Sequence, residues 1–216
     1  MILFAGYRDW ALEAFRHIDP SITIVKSEEE LQDAFFTTKG IEAVVFVGWS
    51  WMVPDEIVNS VECVCYHPSD LPKYKGGSPI QHQVLDGVLD TYVTLFLMTS
   101  KVDDGPVFSK QKISLRGGLK AIFDSLSFSA AILVSKYLDQ VNAGLPRQFH
   151  QQETTGGFFR KRRKPEESEI TIDDLLTENG ESLLRKIQVL SDPYPNAFIR
   201  TIDGGQLLLK KVIFKK

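Results

Sequence analysis

Runs of uniformly apolar residues alternate with amphipathic segments along the first two thirds of the chain. Ile2–Ala5, Ile22–Val25, Ala43–Val47, Val61–Tyr66 and Thr91–Met98 are predicted strands, and the all-apolar Ala43–Val47 has the pattern of buried parallel sheet. Between them lie predicted helices. One carries Trp10, Ala14 and Phe15. A second opens at Ser27, whose spacing to Glu30 is that of a capping box, and carries Leu31, Ala34 and Phe35. Pro54 opens a short helix and Pro79 another. Ile122, Leu126, Ala130, Leu133, Val134 and Leu138 give Gly117–Val141 the apolar stripe of a long helix packed on the sheet. This alternation predicts a doubly wound, Rossmann-like parallel α/β sheet over residues 1–150.

After residue 150 the pattern changes. A polar stretch, Gly156-Gly157 and the basic run Arg160-Lys161-Arg162-Arg163-Lys164 precede Pro165. A helix over Gly180–Leu190 and strands Ala197–Ile202 and Gln206–Phe214, joined at Asp203-Gly204-Gly205, predict a small C-terminal α+β appendage over 151–216. Its hairpin and helix offer a surface for a homodimer contact.

A length of 216 residues suits one α/β domain with such an appendage, and the net charge of −3 points to neither a nucleic-acid nor a membrane partner. No apolar stretch is read as transmembrane, and the start reads as a first strand rather than a leader. Cys63 and Cys65, two apart on one strand, are poorly placed to pair with each other, and two thiols without a leader predict a reducing cytoplasm. With His67 they lack a fourth ligand for zinc, so no metal is expected.

The chemistry concentrates at His67-Pro68-Ser69-Asp70-Leu71-Pro72-Lys73-Tyr74-Lys75-Gly76-Gly77-Ser78-Pro79-Ile80. A histidine ends a buried strand, prolines fix the following loop, and Gly76 and Gly77 would let a ligand approach the backbone. The next strand runs into Lys101-Val102-Asp103-Asp104-Gly105-Pro106. If the two strands are parallel neighbours, their ends share an edge and an aspartate there can orient the imidazole and favour its charged form. Trp49, Trp51 and Met52 gather soft apolar surface beyond another strand end, suited to a flat heteroaromatic ring.

The His67–Ile80 string, with Val102-Asp103-Asp104-Gly105-Pro106-Val107, resembles the 10-formyltetrahydrofolate-dependent formyltransferases over roughly residues 1–145. Lys161–Ser168 and Tyr194-Pro195-Asn196-Ala197-Phe198 are most similar to the sugar-nucleotide N-formyltransferase branch, and the short acidic chain resembles the formyltransferases of pseudaminic acid synthesis. The resemblance implies transfer of a formyl group from 10-formyltetrahydrofolate to the amine of a nucleotide-linked amino sugar, without a metal. It implies His67 and Asp103 as the catalytic pair, with Asp104 a competitor for the aspartate's role. His67 would stabilise the oxyanion or relay the amine's proton. Cys65 stands where the family has an asparagine that donates to the oxyanion. A backbone N–H or protonated His67 then replaces that donor, or the enzyme is slow, or the thiol acts in a new way. The folate would lie between Gly48-Trp49-Ser50-Trp51-Met52-Val53 and Met98-Thr99-Ser100-Lys101-Val102. The amino sugar would meet Lys75, Gly76, Gly77, Ser78 and Gln81, with Arg8 and either Arg162 or Arg163 on a diphosphate. The alternatives are transfer to methionyl-tRNA and an inactive folate or sugar-nucleotide binding module.

Overall fold

The computed structural model describes residues 1–153 and 155–215. Its centre is a six-stranded sheet in which Thr23–Val25, Ile2–Ala5, Ala43–Val47, Glu62–His67, Asp90–Leu97 and Val107–Ser114 lie side by side in that order, with a further short strand, β5 (Lys75–Gly76), outside it. Strands β1 (Ile2–Ala5), β2 (Thr23–Val25), β3 (Ala43–Val47) and β4 (Glu62–His67) are parallel. Helices α1 (Asp9–Phe15), α2 (Glu28–Thr37) and α3 (Asp55–Ser60) connect them. At the α2 start Ser27 accepts the Glu30 N–H at 3.1 Å, but the Glu30 carboxylate takes the Lys26 N–H rather than that of Ser27. Residues of opposite parity along these strands feed two apolar layers, Phe4, Val45, Val64 and Tyr66 on one side and Leu3, Val44, Phe46 and Cys63 on the other.

The parallel pattern stops at β4. The predicted parallel neighbour, β6 (Asp90–Leu97), runs antiparallel to it, with His67 opposite Thr94 and Val64 opposite Leu97. The cause is the connection. Helix α4 (Pro79–Leu85) has 7 residues and spans only about 10 Å, too little to carry the chain back along the sheet, so the chain re-enters from the edge it left. Strand β7 (Val107–Ser114) then pairs antiparallel with β6. The architecture is therefore a Rossmann-like α/β sheet, parallel over its first four strands and mixed at one side.

Helix α5 (Gly118–Asn142) packs Leu119, Ile122, Leu126, Leu133 and Val134 into the Phe4 layer. Contrary to the reading from sequence, α5 is long and apolar enough to cross a membrane by length and composition; here half of that window is buried in the fold. Tyr137 of α5 donates to Glu62 Oε1 at 2.6 Å, and Arg147 grips both oxygens of the same carboxylate at 3.0 and 3.2 Å.

Beyond residue 150 come the two-residue strand β8 (Phe159–Arg160), a 3₁₀ turn (Pro165–Ser168), α6 (Ile172–Thr177), α7 (Gly180–Val189) and the hairpin β9 (Phe198–Arg200) and β10 (Gln206–Leu208). The last strand is shorter than predicted: past a Leu209 N–H bond to Ala197 O at 2.7 Å it leaves β9, and Phe214 packs over Gly180. Ile170, Ile187, Val189, Leu190 and Ala197 join the buried layer of α5 rather than a separate core.

Candidate active site

His67 is the last residue of β4, and its side chain shares the sheet face of Cys65. The loop after it is fixed by buried polar groups. Thr94 Oγ1 donates to Ser69 O at 2.8 Å, Ser69 Oγ donates to Lys73 O at 2.7 Å, and Gln83 Nε2 donates to Pro68 O at 2.8 Å and Pro79 O at 3.0 Å. Each of these side chains is buried, so an unmade bond there would cost about 1–3 kcal/mol.

Asp103 does reach His67, although not along a shared strand edge. The Met98 N–H bonds to Cys63 O at 2.7 Å, low on β4, and the loop 98–106 then folds back over the sheet face. Asp103 Oδ2 thereby comes to 3.5 Å from His67 Nδ1 and accepts the Gly76 N–H at 2.7 Å. On the other side of the ring, His67 Nε2 meets Tyr74 O at 2.9 Å, so Nε2 carries a proton and donates it. A second ring proton, when present, sits on Nδ1 facing Asp103. The two side chains are 7% and 12% exposed, so their electrostatic coupling is poorly screened.

Asp104, the adjacent competitor, turns away. It pairs with Lys75, whose ammonium holds the Asp104 carboxyl below the usual carboxylate range. The Lys75 ammonium is thus paired with Asp104, beside rather than among the residues that line the cleft. Cys65 does line it. Burial, then the Asp103 carboxylate, then Cys63 push the Cys65 thiol well above its ordinary value, so it is a protonated, weak donor at neutral pH.

The cleft beside the pair has a volume of about 750 Å³. It is lined by Gly48, Trp49, Ser50, Trp51, Met52 and Val53 on one wall and by Met98, Thr99, Ser100, Lys101, Val102 and Asp103 on another, with Cys65 and His67 at its base. Val53 is also core, and Met52 is largely exposed at the rim. Gly76, Gly77, Ser78, Gln81, Arg8, Arg162 and Arg163 complete the lining. Trp49 and Trp51 meet edge to face at 4.8 Å, Tyr7 packs on Trp51 at 4.2 Å, and the Tyr7 hydroxyl bonds Ser50 Oγ. Arg8 lies over the rings of Tyr7 (5.2 Å) and Tyr194 (5.9 Å).

Gly76 and Gly77 have a different reason from the one the sequence suggested. A Cβ on Gly76 would stand 2.4 Å from Arg160 O, and one on Gly77 would stand 2.4 Å from Arg162 Cα. Both glycines admit the segment 159–162 of this same chain. Gly76, at φ +92°, also adopts a conformation that side chains disfavour.

Sequence reasoning missed Trp10 and Tyr194 as cleft residues, and Tyr7 as the ring that backs Trp51. An aromatic beside Arg8 at the end of β1 was an available signal for Tyr7. Tyr194 had entered only as part of a family resemblance, and its approach to Arg8 depends on the packing of α7.

Residues 20–118 match the formyl transferase family. The methionyl-tRNA formyltransferase of Lachnospira eligens is 31% identical over 215 residues, covering 95% of this chain and 64% of its own length; the chain thus spans less than two thirds of that relative. Among solved structures, the methionyl-tRNA formyltransferase from Clostridium thermocellum superposes with a TM-score of 0.86 at 26% identity, covering 99% of this chain and 93% of that one. A 4-N formyltransferase from Francisella tularensis, 14% identical, shares the fold with a TM-score of 0.77 over 100% and 98% of the two chains. Family match and fold thus agree in what they resemble: residues 20–118 are similar to the formyl transferase family, and within that stretch lie both members of the His67–Asp103 pair.

Proposed function

We propose that the protein is an N-formyltransferase that moves a formyl group from 10-formyltetrahydrofolate to the amine of a nucleotide-linked amino sugar. The observation that carries this reading is the buried His67–Asp103 pair, 3.5 Å apart, on the wall of a cleft rich in tryptophan. The residues fit a pteridine: Trp49 and Trp51 supply flat apolar surface, and the Trp49 indole N–H has no partner among the described residues. The amine nitrogen attacks the formyl carbon, the carbon–N10 bond breaks, and the amine's proton passes to the departing nitrogen. His67 and Asp103 hold or move that proton and stabilise the oxyanion. Tetrahydrofolate and the formamide are the products.

On the acceptor side, Arg8 has a half-buried guanidinium without a carboxylate partner among the described residues, over two tyrosine rings. A diphosphate supplies the missing charge. Transfer to methionyl-tRNA is the second reading, favoured by the 31% identity to such an enzyme. Against it stand the net charge of −3 and the state of the basic run. Asp86 neutralises Arg160, and Arg162 and Arg163 are each turned onto a carbonyl of this chain, Ser50 O and Glu167 O, so the run presents fewer free charges to a phosphate backbone than its sequence suggests.

Incubation with 10-formyltetrahydrofolate and a panel of UDP-, dTDP- and GDP-linked amino sugars, beside methionyl-tRNA, tests the reading. Formyl mass gain on a sugar nucleotide is expected. Gain on the tRNA alone, with tight salt-sensitive binding, overturns the acceptor; folate binding without transfer to any acceptor overturns catalysis.

A further inference from the structure

Two residues of one short segment, Tyr74 and Gly76, touch the two members of the pair. The Tyr74 carbonyl accepts from His67 Nε2 at 2.9 Å, and the Gly76 N–H donates to Asp103 Oδ2 at 2.7 Å. This segment is not part of the central sheet. Its strand, β5 (Lys75–Gly76), pairs in parallel with β8 of the C-terminal region. The Lys75 N–H bonds Phe158 O at 3.1 Å, and the Gly77 N–H bonds Arg160 O at 2.8 Å.

Tyr74 sits at φ +56°, a conformation that costs a bulky residue about 1–3 kcal/mol and persists only where the surroundings enforce it. The surroundings here are the same C-terminal residues. The buried Tyr74 ring meets Phe158 edge-on at 4.6 Å. Its hydroxyl faces the Asp86 carboxylate, which Arg160 binds at 2.9 Å. Neither Phe158 nor Arg160 lines the cleft. They bear on the pair from outside the cleft, through the Tyr74 side chain and through the backbone of β5.

We propose that Phe158 and Arg160 are positioning residues: by gripping Tyr74 they aim its carbonyl at His67 and so fix the imidazole's tautomer and angle toward Asp103. The inference rests on the formyl-transfer reading for its kinetic arm only. The ring nitrogen that donates to Tyr74 O leaves Nδ1 as the one position free to exchange a proton with Asp103. If the grip is lost, the ring turns or samples both tautomers, and misplacement of about 1 Å costs on the order of 100-fold in rate.

The test compares Phe158→Ala, Phe158→Tyr and Arg160→Ala with the parent in the full-length protein. Phe158→Ala is expected to lower kcat by about 10- to 100-fold, with KM for donor and acceptor held within about twofold. Phe158→Tyr keeps the edge-on ring and restores kcat, and Arg160→Ala lowers it to a lesser degree. Nitrogen-15 NMR of labelled histidine provides the second readout: a single Nε2–H tautomer for His67 in the parent and a mixture in Phe158→Ala. Parental kcat in Phe158→Ala overturns the proposal, as does a rise in KM that matches the fall in kcat, or a fall in kcat with the histidine signal unchanged. If the parent transfers no formyl group to any acceptor, the functional reading fails and the NMR comparison alone decides the positioning role.

Discussion

Replacing Cys65 by asparagine puts an amide at the one position of the catalytic set where this chain departs from the family it resembles. Cys65 lies two residues before His67, on the same face of β4, half-buried at the base of the cleft. Its protonated thiol is a weak donor, whereas an asparagine offers two N–H groups. One good oxyanion donor is worth about 10²–10³ in kcat, or roughly 2.7–4 kcal/mol. Asp103 competes for the new amide, and the thiol already supplies part of the effect, so about half of that energy should be realised. The expected rise in kcat is about 10- to 30-fold, which corresponds to roughly 1.4–2 kcal/mol, with both KM values little changed. The assay follows tetrahydrofolate formation at saturating donor and acceptor, with Cys65→Ala as control, expected within about threefold of the parent because so weak a donor is removed. An unchanged or lower kcat in a folded Cys65→Asn protein refutes the oxyanion argument. A large loss in Cys65→Ala shows that the thiol has a chemical role of its own.

Gly77→Ala places a methyl 2.4 Å from Arg162 Cα and 2.5 Å from its nitrogen, where backbone must move. Destabilisation of about 1–3 kcal/mol follows, and a thermal melt should fall by roughly 3–10 °C; an unchanged melt refutes the close packing. Tyr137→Phe removes a bond to the Glu62 carboxylate and should cost about 1.5–3 kcal/mol in denaturant titration, with loss below 0.5 kcal/mol counting against the network. Burial raises both thiols, Cys63 to about 12 and Cys65 also well above its ordinary value, and a raised value depletes the thiolate at every pH below it. Iodoacetamide at pH 8 should therefore label the native protein more than about 100-fold slower than the unfolded chain, and rapid native labelling by mass spectrometry would contradict the burial.

The sequence made the parallel half of the fold legible because its strands, such as Ala43–Val47, are buried on both faces and hence apolar throughout. It made the meeting of His67 with Asp103 legible because each stands in a distinctive string, His67–Ile80 and Val102–Val107. The direction of β6 was not legible: Thr91–Met98 has the same apolar pattern in either orientation, and only the short α4 decides it. The expected partnership of His67 with Asp103 was reached through a parallel edge that does not exist; a loop folded over the sheet achieves it instead. The pairing of Lys75 with Asp104 was not legible either, because the two residues lie 29 apart in the chain. The approach of Tyr194 to Arg8 and the pairing of residues 158–160 with 75–77 escaped for the same reason, since contacts between distant stretches leave no local trace.

The mating of Gly76 and Gly77 with Arg160–Arg162, and of Gly157 with Pro72, has a consequence for anyone recombining such enzymes. The turn after His67 and the strand near position 160 are two halves of one joint, although more than eighty residues separate them. A graft that exchanges the first half between homologues and leaves the second in place will meet a backbone shaped for a different mate. Chimeras that move both halves together keep the joint, and libraries that vary one half alone will be dominated by its failures.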